Sequence, residues 1–279
     1  MGKLKAAWIG FRNPDVDPWE LYAHRAKVGF KGMDGDLSMM EGDPVENLKR
    51  FKDLGLQPLC VGTRREGSMA EVAADPAKIK AVVERAHFYG TKFVNMGNSS
   101  VISSFGQGYG NNGTYDQLMA DIEIMNALVK VLADEGLSPV YHNHYQEFTV
   151  TYNSVSVMDI FLRDIDPRMK MKLDVGWVYV GGVDPVEYME KIKDRIGLLH
   201  IKDFTDRIKP RYLVNADKET DFGFVSAGAG VLDLPAICQK ALEIGQEWVI
   251  VEQDRVRNLN VEDSLLCGYF NLKETDLVE

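Results

Sequence analysis

The chain has 279 residues, 45% of them hydrophobic and 27% charged, a composition able to bury a large core and unlike that of disordered or fibrous proteins. Lys and Arg number 32 against 42 Asp and Glu, a formal charge of −10, which argues against a broad phosphate-binding surface and so against nucleic acid as a partner. No apolar run approaches the roughly 20 residues needed to span a bilayer.

The opening, MGKLKAAWIGF, moves straight into strand-like sequence without a signal-peptide apolar stretch, so the expectation is a cytoplasmic protein. Eight β-rich runs follow in chain order, at 5–11, 32–37, 57–63, 92–97, 138–144, 169–175, 197–204 and 248–253. Eight segments of helical period separate and follow them, at 19–28, 44–54, 76–89, 115–135, 155–162, 185–196, 234–244 and 261 to about 277. Asp-Pro opens helices at Asp43, Asp75 and Asp184, where the aspartate caps free N–H groups and proline has no N–H to leave unpaired. Glycine closes them at Gly55, Gly90, Gly136 and Gly245. Strand then helix, eight times with short connections, implies right-handed parallel crossovers closing into one (β/α)8 barrel, a TIM barrel, occupying 1–279 as a single domain. An open doubly wound sheet is the competing architecture, but the first strand–helix turn, IGFRNPDVDPW, carries no GxGxxG fingerprint.

Two connections stand out. Residues 98–113 (NSSVISSFGQGYGNNG) are small, polar and glycine-rich, and residues 205–233 form a 29-residue stretch with no clear helix. Both follow strand ends and therefore belong to the catalytic face of such a barrel. Gly228 and Gly230 in SAGAGVLD suit a turn better than a phosphate cradle, because no GK[ST] follows. The three cysteines, Cys60, Cys238 and Cys267, are far apart in apolar settings, as expected of free thiols.

On that face the chain places His142, His144 and Glu147 in VYHNHYQEF, Asp174 in MKLDVGW, His200, Lys202 and Asp203 in LLHIKDF, and Glu252 and Asp254 in VIVEQD. Four successive strands end in metal-type ligands. Imidazoles and carboxylates converging from separate rigid strands can hold a divalent cation and leave positions open for substrate oxygens. No thiolate joins them, which points to Mn2+, Mg2+, Co2+ or Zn2+ in a mixed shell. Trp177 offers a face for a sugar ring or a wall for the pocket, and Asn98 opens the polar loop.

The combination of GFKGMD at the second strand, KLDVGW, a His-x-Lys-Asp strand 26 positions beyond Asp174, and a Val-Glu-Gln strand end resembles the xylose-isomerase-like superfamily of TIM barrels along essentially the whole chain. That group takes in sugar phosphate isomerases and epimerases, inosose dehydratases, 3-oxo-glycoside lyases and apurinic endonucleases. The resemblance implies a metal shell of a strand-five glutamate followed by Asp174, His200 and Glu252, with Mn2+ as the leading cation. This sequence departs from the pattern at strand five, where His142-Asn143-His144 replaces the usual glutamate. Either Glu147 folds back to ligate, with His144 as the catalytic base, or His142 ligates directly; the resemblance favours the first.

The reaction it implies is proton abstraction beside the carbonyl of a keto sugar, ketoglycoside or cyclitol, with the cation stabilising the enediolate. Return of the proton gives isomerisation or epimerisation, and loss of a β leaving group gives dehydration or lyase chemistry. His144 and His142 are the imidazole candidates, Lys202 would steady a developing oxyanion, and Asp203, Asp254, Asn98 and Trp177 are candidates for substrate contact. An endonuclease-like phosphoesterase is disfavoured by the acidic balance and by only five histidines. A non-catalytic binding subunit is the third reading. Relatives imply a homo-oligomer, or pairing with a small β-rich subunit.

Overall fold

In the computed structural model, residues 2–9, 15–102, 113–205, 223–254 and 259–279 are described. The first parallel strands are β1 (Lys5–Ile9), β2 (Gly32–Asp34), β3 (Gln57–Pro58), β4 (Cys60–Gly62), β5 (Phe93–Asn95) and β6 (Ser138–His142). After a two-stranded antiparallel ribbon, β7 (Thr151–Tyr152) and β8 (Val155–Ser156), come β9 (Lys170–Asp174) and β10 (Ile196–Ile201). A second ribbon pairs β11 (Asp203–Phe204) with β12 (Phe224–Val225), and β13 (Trp248–Val251) is the last strand.

The large sheet runs β3-β2-β1-β13-β10-β9-β6-β5-β4. Its two terminal members, β3 and β4, are consecutive in the chain with only Leu59 between them. What would be the two edges of an open sheet is one interrupted strand, bonded to β2 on one side and β5 on the other, so the sheet closes into the expected barrel.

Helices α1 (Pro18–Val28), α2 (Pro44–Asp53), α3 (Met69–Ala73), α4 (Pro76–Tyr89), α5 (Tyr115–Asp134), α6 (Gln146–Thr149), α7 (Val157–Asp164), α8 (Val175–Val180), α9 (Pro185–Lys191), α10 (Leu234–Glu243) and α11 (Val261–Glu274) surround it. Asp43, Asp75 and Asp184 each accept backbone N–H bonds at the start of α2, α4 and α9, as the Asp-Pro steps foretold, and Asp17 does the same for α1. Gly90 ends α4 at φ 68°, a left-handed turn that a Cβ would disfavour.

Three boundaries differ from expectation. The seventh strand breaks at Lys202, and Asp203 and Phe204 turn out to pair with β12. Residues 155 and 156 belong to the β7–β8 ribbon and α7 begins only at Val157, with Ser156 as its cap. The strand through Asp174 passes at once into α8, because the aspartate that ends the strand also caps the helix. Residues 10–11 of the first expected strand, 103–112 of the polar loop and 206–222 of the long connection lie outside the described residues.

Alternation along the strands sorts side chains into two cores. Trp8, Met33, Val61, Val94, Tyr141, Met171, Leu173, Leu199, Ile201, Val249 and Val251 face the helices. Ala7, Leu59, Leu198, Trp248 and Ile250 point into the barrel and fill its lower half. The next inward positions, one step further along the strands, are Asp34, Cys60, Lys172, His142, Asp174, His200 and Glu252, and they form a polar upper half.

Candidate metal centre

Donor atoms of His142, Asp174, His200 and Glu252 all lie within 4.8 Å of one another at the carboxyl ends of β6, β9, β10 and β13. Each arrives on an inward position of a neighbouring strand, so the sheet itself sets their spacing.

Asp174 does two things. Its Oδ1 accepts the Trp177 N–H at 3.0 Å and caps α8, while Oδ2 points into the cluster, 3.1 Å from the Lys202 ammonium. Its backbone is fixed from β6, where Asn143 Oδ1 accepts the Asp174 N–H at 3.0 Å and Asn143 Nδ2 donates to the Asp174 carbonyl at 3.3 Å. A Cβ on Gly176 would stand 2.4 Å from the Lys202 carbonyl, so glycine there is what lets α8 approach the end of β10.

The His200 ring is held at both nitrogens, with Nδ1 2.7 Å from Glu252 Oε2 and Nε2 2.6 Å from Asp34 Oδ2. Burial disfavours its charge, yet Glu252 and Asp34 raise its pKa to about 9. Asp34 is buried too, but Lys172 and His200 outweigh the desolvation and bring it down to about 2. Lys172 Nζ stands 2.9 Å from both Asp34 oxygens and 3.7 Å from Cys60 Sγ. Burial pushes Cys60 up to about 12, which keeps it a thiol and leaves it no nucleophilic role.

Lys202 lies at the heart of the upper half. Its ammonium is 2.7 Å from Asp254 Oδ2, 3.1 Å from Asp174 Oδ2 and 3.3 Å from Glu252 Oε2, and 4.8 Å from the centre of the Trp177 ring. Burial works against this charge, but the three carboxylates raise its pKa above the ordinary lysine value. Burial pushes Asp174 up to about 7 against the pull of Lys202. Glu252 is buried as well, yet Lys202 and the neighbouring imidazoles hold it well below the usual carboxylate range.

His142 and His144 lie edge to face, 4.9 Å between ring centres. Burial drives His142 well below its ordinary value, and burial with the charge of Lys202 brings His144 to about 4. Both imidazoles are therefore neutral at pH 7. Asn98 Nδ2 donates to the His142 carbonyl at 3.0 Å and lies 3.4 Å from His144 Nδ1, tying the polar loop to this pair.

Two expected roles require correction. Glu147 does not reach the cluster: its Oε1 accepts from Tyr141 Oη at 2.7 Å and its Oε2 from the His144 N–H at 2.9 Å. Tyr141 and His142 are adjacent on β6 and so face opposite sides of the sheet, and Glu147 sits on the Tyr141 side. His142, not Glu147, joins Asp174, His200 and Glu252. Asp203 is not free for substrate either. Its carboxylate accepts five backbone N–H groups, from Phe204, Gly228, Gly230, Val231 and Leu232, and so ties down the SAGAGVLD turn. Trp177 is wholly buried, against Lys202, His144 and Phe204, which makes it a wall of the site. Asp254 keeps partial exposure beside Lys202, and Asn98 is exposed at the rim.

Sequence reading gave no role to Asp34, Lys172, Asn143 or Tyr141. Strand alternation carries a signal for Lys172, two residues before Asp174 and thus on the same face, and Asp34 closes the GFKGMD segment at a strand end.

The residues fit a divalent cation. His142, Asp174, His200 and Glu252 bring two imidazoles and two carboxylates within 4.8 Å of one another, a donor set suited to Mn2+ or Zn2+, and His142 Nδ1 is buried with no hydrogen bond.

A closed parallel barrel with such a cluster at its strand ends defines a barrel of metal-site type. A family model described as xylose isomerase-like TIM barrel matches residues 23–267, and the chain belongs to that family. A Geobacillus kaustophilus protein named inosose dehydratase is 27% identical over 143 residues, 48% of this chain and 44% of that protein, so the match spans less than half of this curated relative. Among solved structures, a sugar phosphate isomerase/epimerase from Parabacteroides distasonis superposes with TM-score 0.70 at 20% identity, covering 99% of this chain and 96% of the other. A probable 3-DHS dehydratase from Bacillus anthracis gives TM-score 0.71 at 15% identity, with 97% and 99% covered. At these identities the superpositions speak to the fold. Among the described residues no helix is long and apolar enough to cross a membrane.

Proposed function

We propose that the protein is a divalent-metal-dependent enzyme that removes a proton from carbon next to the carbonyl of a keto sugar, ketoglycoside or cyclitol. The observation that carries this reading is the meeting of four donors from four strands within 4.8 Å, beside a neutral imidazole and a buried ammonium. His142, Asp174, His200 and Glu252 would hold the cation, with Mn2+ first and Mg2+, Co2+ or Zn2+ as substitutes. Once held there, the cation supplies Lewis acidity toward a ketone oxygen and an adjacent hydroxyl.

His144 is the proton acceptor. Its depressed pKa keeps the ring unprotonated at neutral pH, and Glu147 grips its backbone N–H while Asn98 flanks the ring. Lys202 donates to the oxygen on which negative charge gathers, since its three carboxylate neighbours keep it an ammonium. Asp254, partly exposed and bonded to Lys202, faces a substrate hydroxyl. We place the protein in the cytoplasm, in keeping with its free thiols.

A second outcome of the same first step, β-elimination, is favoured by the segment shared with proteins named inosose dehydratase. The test is incubation of Mn2+-loaded protein in D2O with a panel of ketoses, 3-ketoglycosides and inososes, followed by NMR. Deuterium entering the carbon beside the carbonyl supports the reading, and a new alkene or enone signal selects elimination. Absence of both across the panel overturns it.

A further inference from the structure

Below the four donors, the barrel interior holds a charged pair that the proposed proton abstraction does not use. Lys172 and Asp34 project inward from β9 and β2, with side chains 4% and 0% exposed. Beneath them lies the apolar layer of Ala7, Leu59, Leu198, Trp248 and Ile250. Taking two charges out of water here is expensive, and apolar residues of similar volume would serve packing as well or better. The pair is also not self-contained. Asp34 Oδ2 is 2.6 Å from His200 Nε2, and the opposite nitrogen, Nδ1, faces Glu252 and the cluster. The chain of contacts Lys172 to Asp34 to His200 therefore crosses the barrel and ends at a donor.

We propose that Asp34, itself held by Lys172, is a positioning residue that fixes His200 as the Nε2–H tautomer and turns its Nδ1 lone pair toward the cation. The inference rests on the metal reading above. An imidazole can present only one lone pair when neutral, and a buried carboxylate on Nε2 decides which. Lys172 serves by keeping the Asp34 oxygens oriented and anionic, for which it makes contacts at 2.9 Å to both. Among the described residues Asp34 is its only carboxylate partner at ion-pair distance.

The experiment compares the wild type with two charge-free double variants, Asp34→Asn/Lys172→Met and Asp34→Leu/Lys172→Met. Both remove the ion pair together, so neither strands a buried charge, but the first keeps an oxygen able to accept from Nε2–H and the second does not. Zn2+ and Mn2+ affinity are measured by calorimetry, folding by thermal unfolding, and the His200 tautomer by two-bond 1H–15N NMR of the Zn2+-loaded protein. Expected is an Nε2–H tautomer in the wild type and a loss of affinity of about 10- to 100-fold in the leucine variant, with a smaller loss in the asparagine variant. An affinity in the folded leucine variant within about twofold of wild type, or an Nδ1–H tautomer in the wild type, overturns the proposal. Should the leucine variant not fold, the wild-type tautomer and the asparagine variant decide: an Nε2–H signal weakened or shifted by asparagine supports it, and an unchanged spectrum overturns it. Failure of the wild type itself to bind either metal overturns the metal reading, which separates the two failures.

Discussion

The lower and upper halves of the barrel interior are built from the same strands by the same alternation, yet they are opposite in character. Leu198 and His200 are two residues apart on β10, and Ile250 on β13 is two residues before Glu252, which directly follows that strand. The lower members join a dry apolar layer, while the upper ones join carboxylates, imidazoles and ammonium groups in equal burial. Burial of paired charges contributes little net stability. The lower half therefore holds the barrel closed, and the upper half carries an arrangement that stability alone does not call for.

Four substitutions sharpen that contrast. The largest effect is expected from Asp174→Asn in the upper half. The amide oxygen still caps α8, but the anion facing the cluster is gone, so stoichiometric metal and turnover should both be lost while thermal unfolding changes little; retained metal by elemental analysis would break the assignment. Next comes His144→Ala, expected to lower turnover about 10²- to 10⁴-fold with the metal content intact, as measured by single-turnover kinetics on the loaded protein.

In the lower half, Leu198→Ala should reverse the pattern, lowering stability by about 2–5 kcal/mol in denaturant titration with little change in metal stoichiometry. The smallest effect is a pH dependence outside the barrel. Burial raises Glu147 from 4.5 to about 7. Because the folded state holds this proton more tightly, the contribution of Glu147 to stability is fully present below pH about 4.5 and is lost as pH rises through about 7. Glu147→Gln donates from its amide to Tyr141 Oη and still accepts from the His144 N–H, so it should make the decline shallower by at most a few kcal/mol, leaving the part that Asp174 carries. An unaltered pH profile of unfolding would show that Glu147 does not carry it.

The sequence by itself determined the alternation of strand and helix, the capped helix starts and the four strand ends that carry metal-type side chains, because these depend on periodicity and local backbone preferences. Asp174, His200 and Glu252 were legible for that reason: each sits at the end of an inward-facing strand register. Only the tertiary structure brought His142 rather than Glu147 into the cluster. The choice depends on which side of β6 the chain's return through α6 reaches, and Glu147 returns to the Tyr141 side. It also decided that Asp203 serves five backbone amides and that Asp34 and Lys172 meet across the barrel, 138 positions apart in the chain. Contacts between distant strands depend on barrel closure and stagger, which no local pattern encodes.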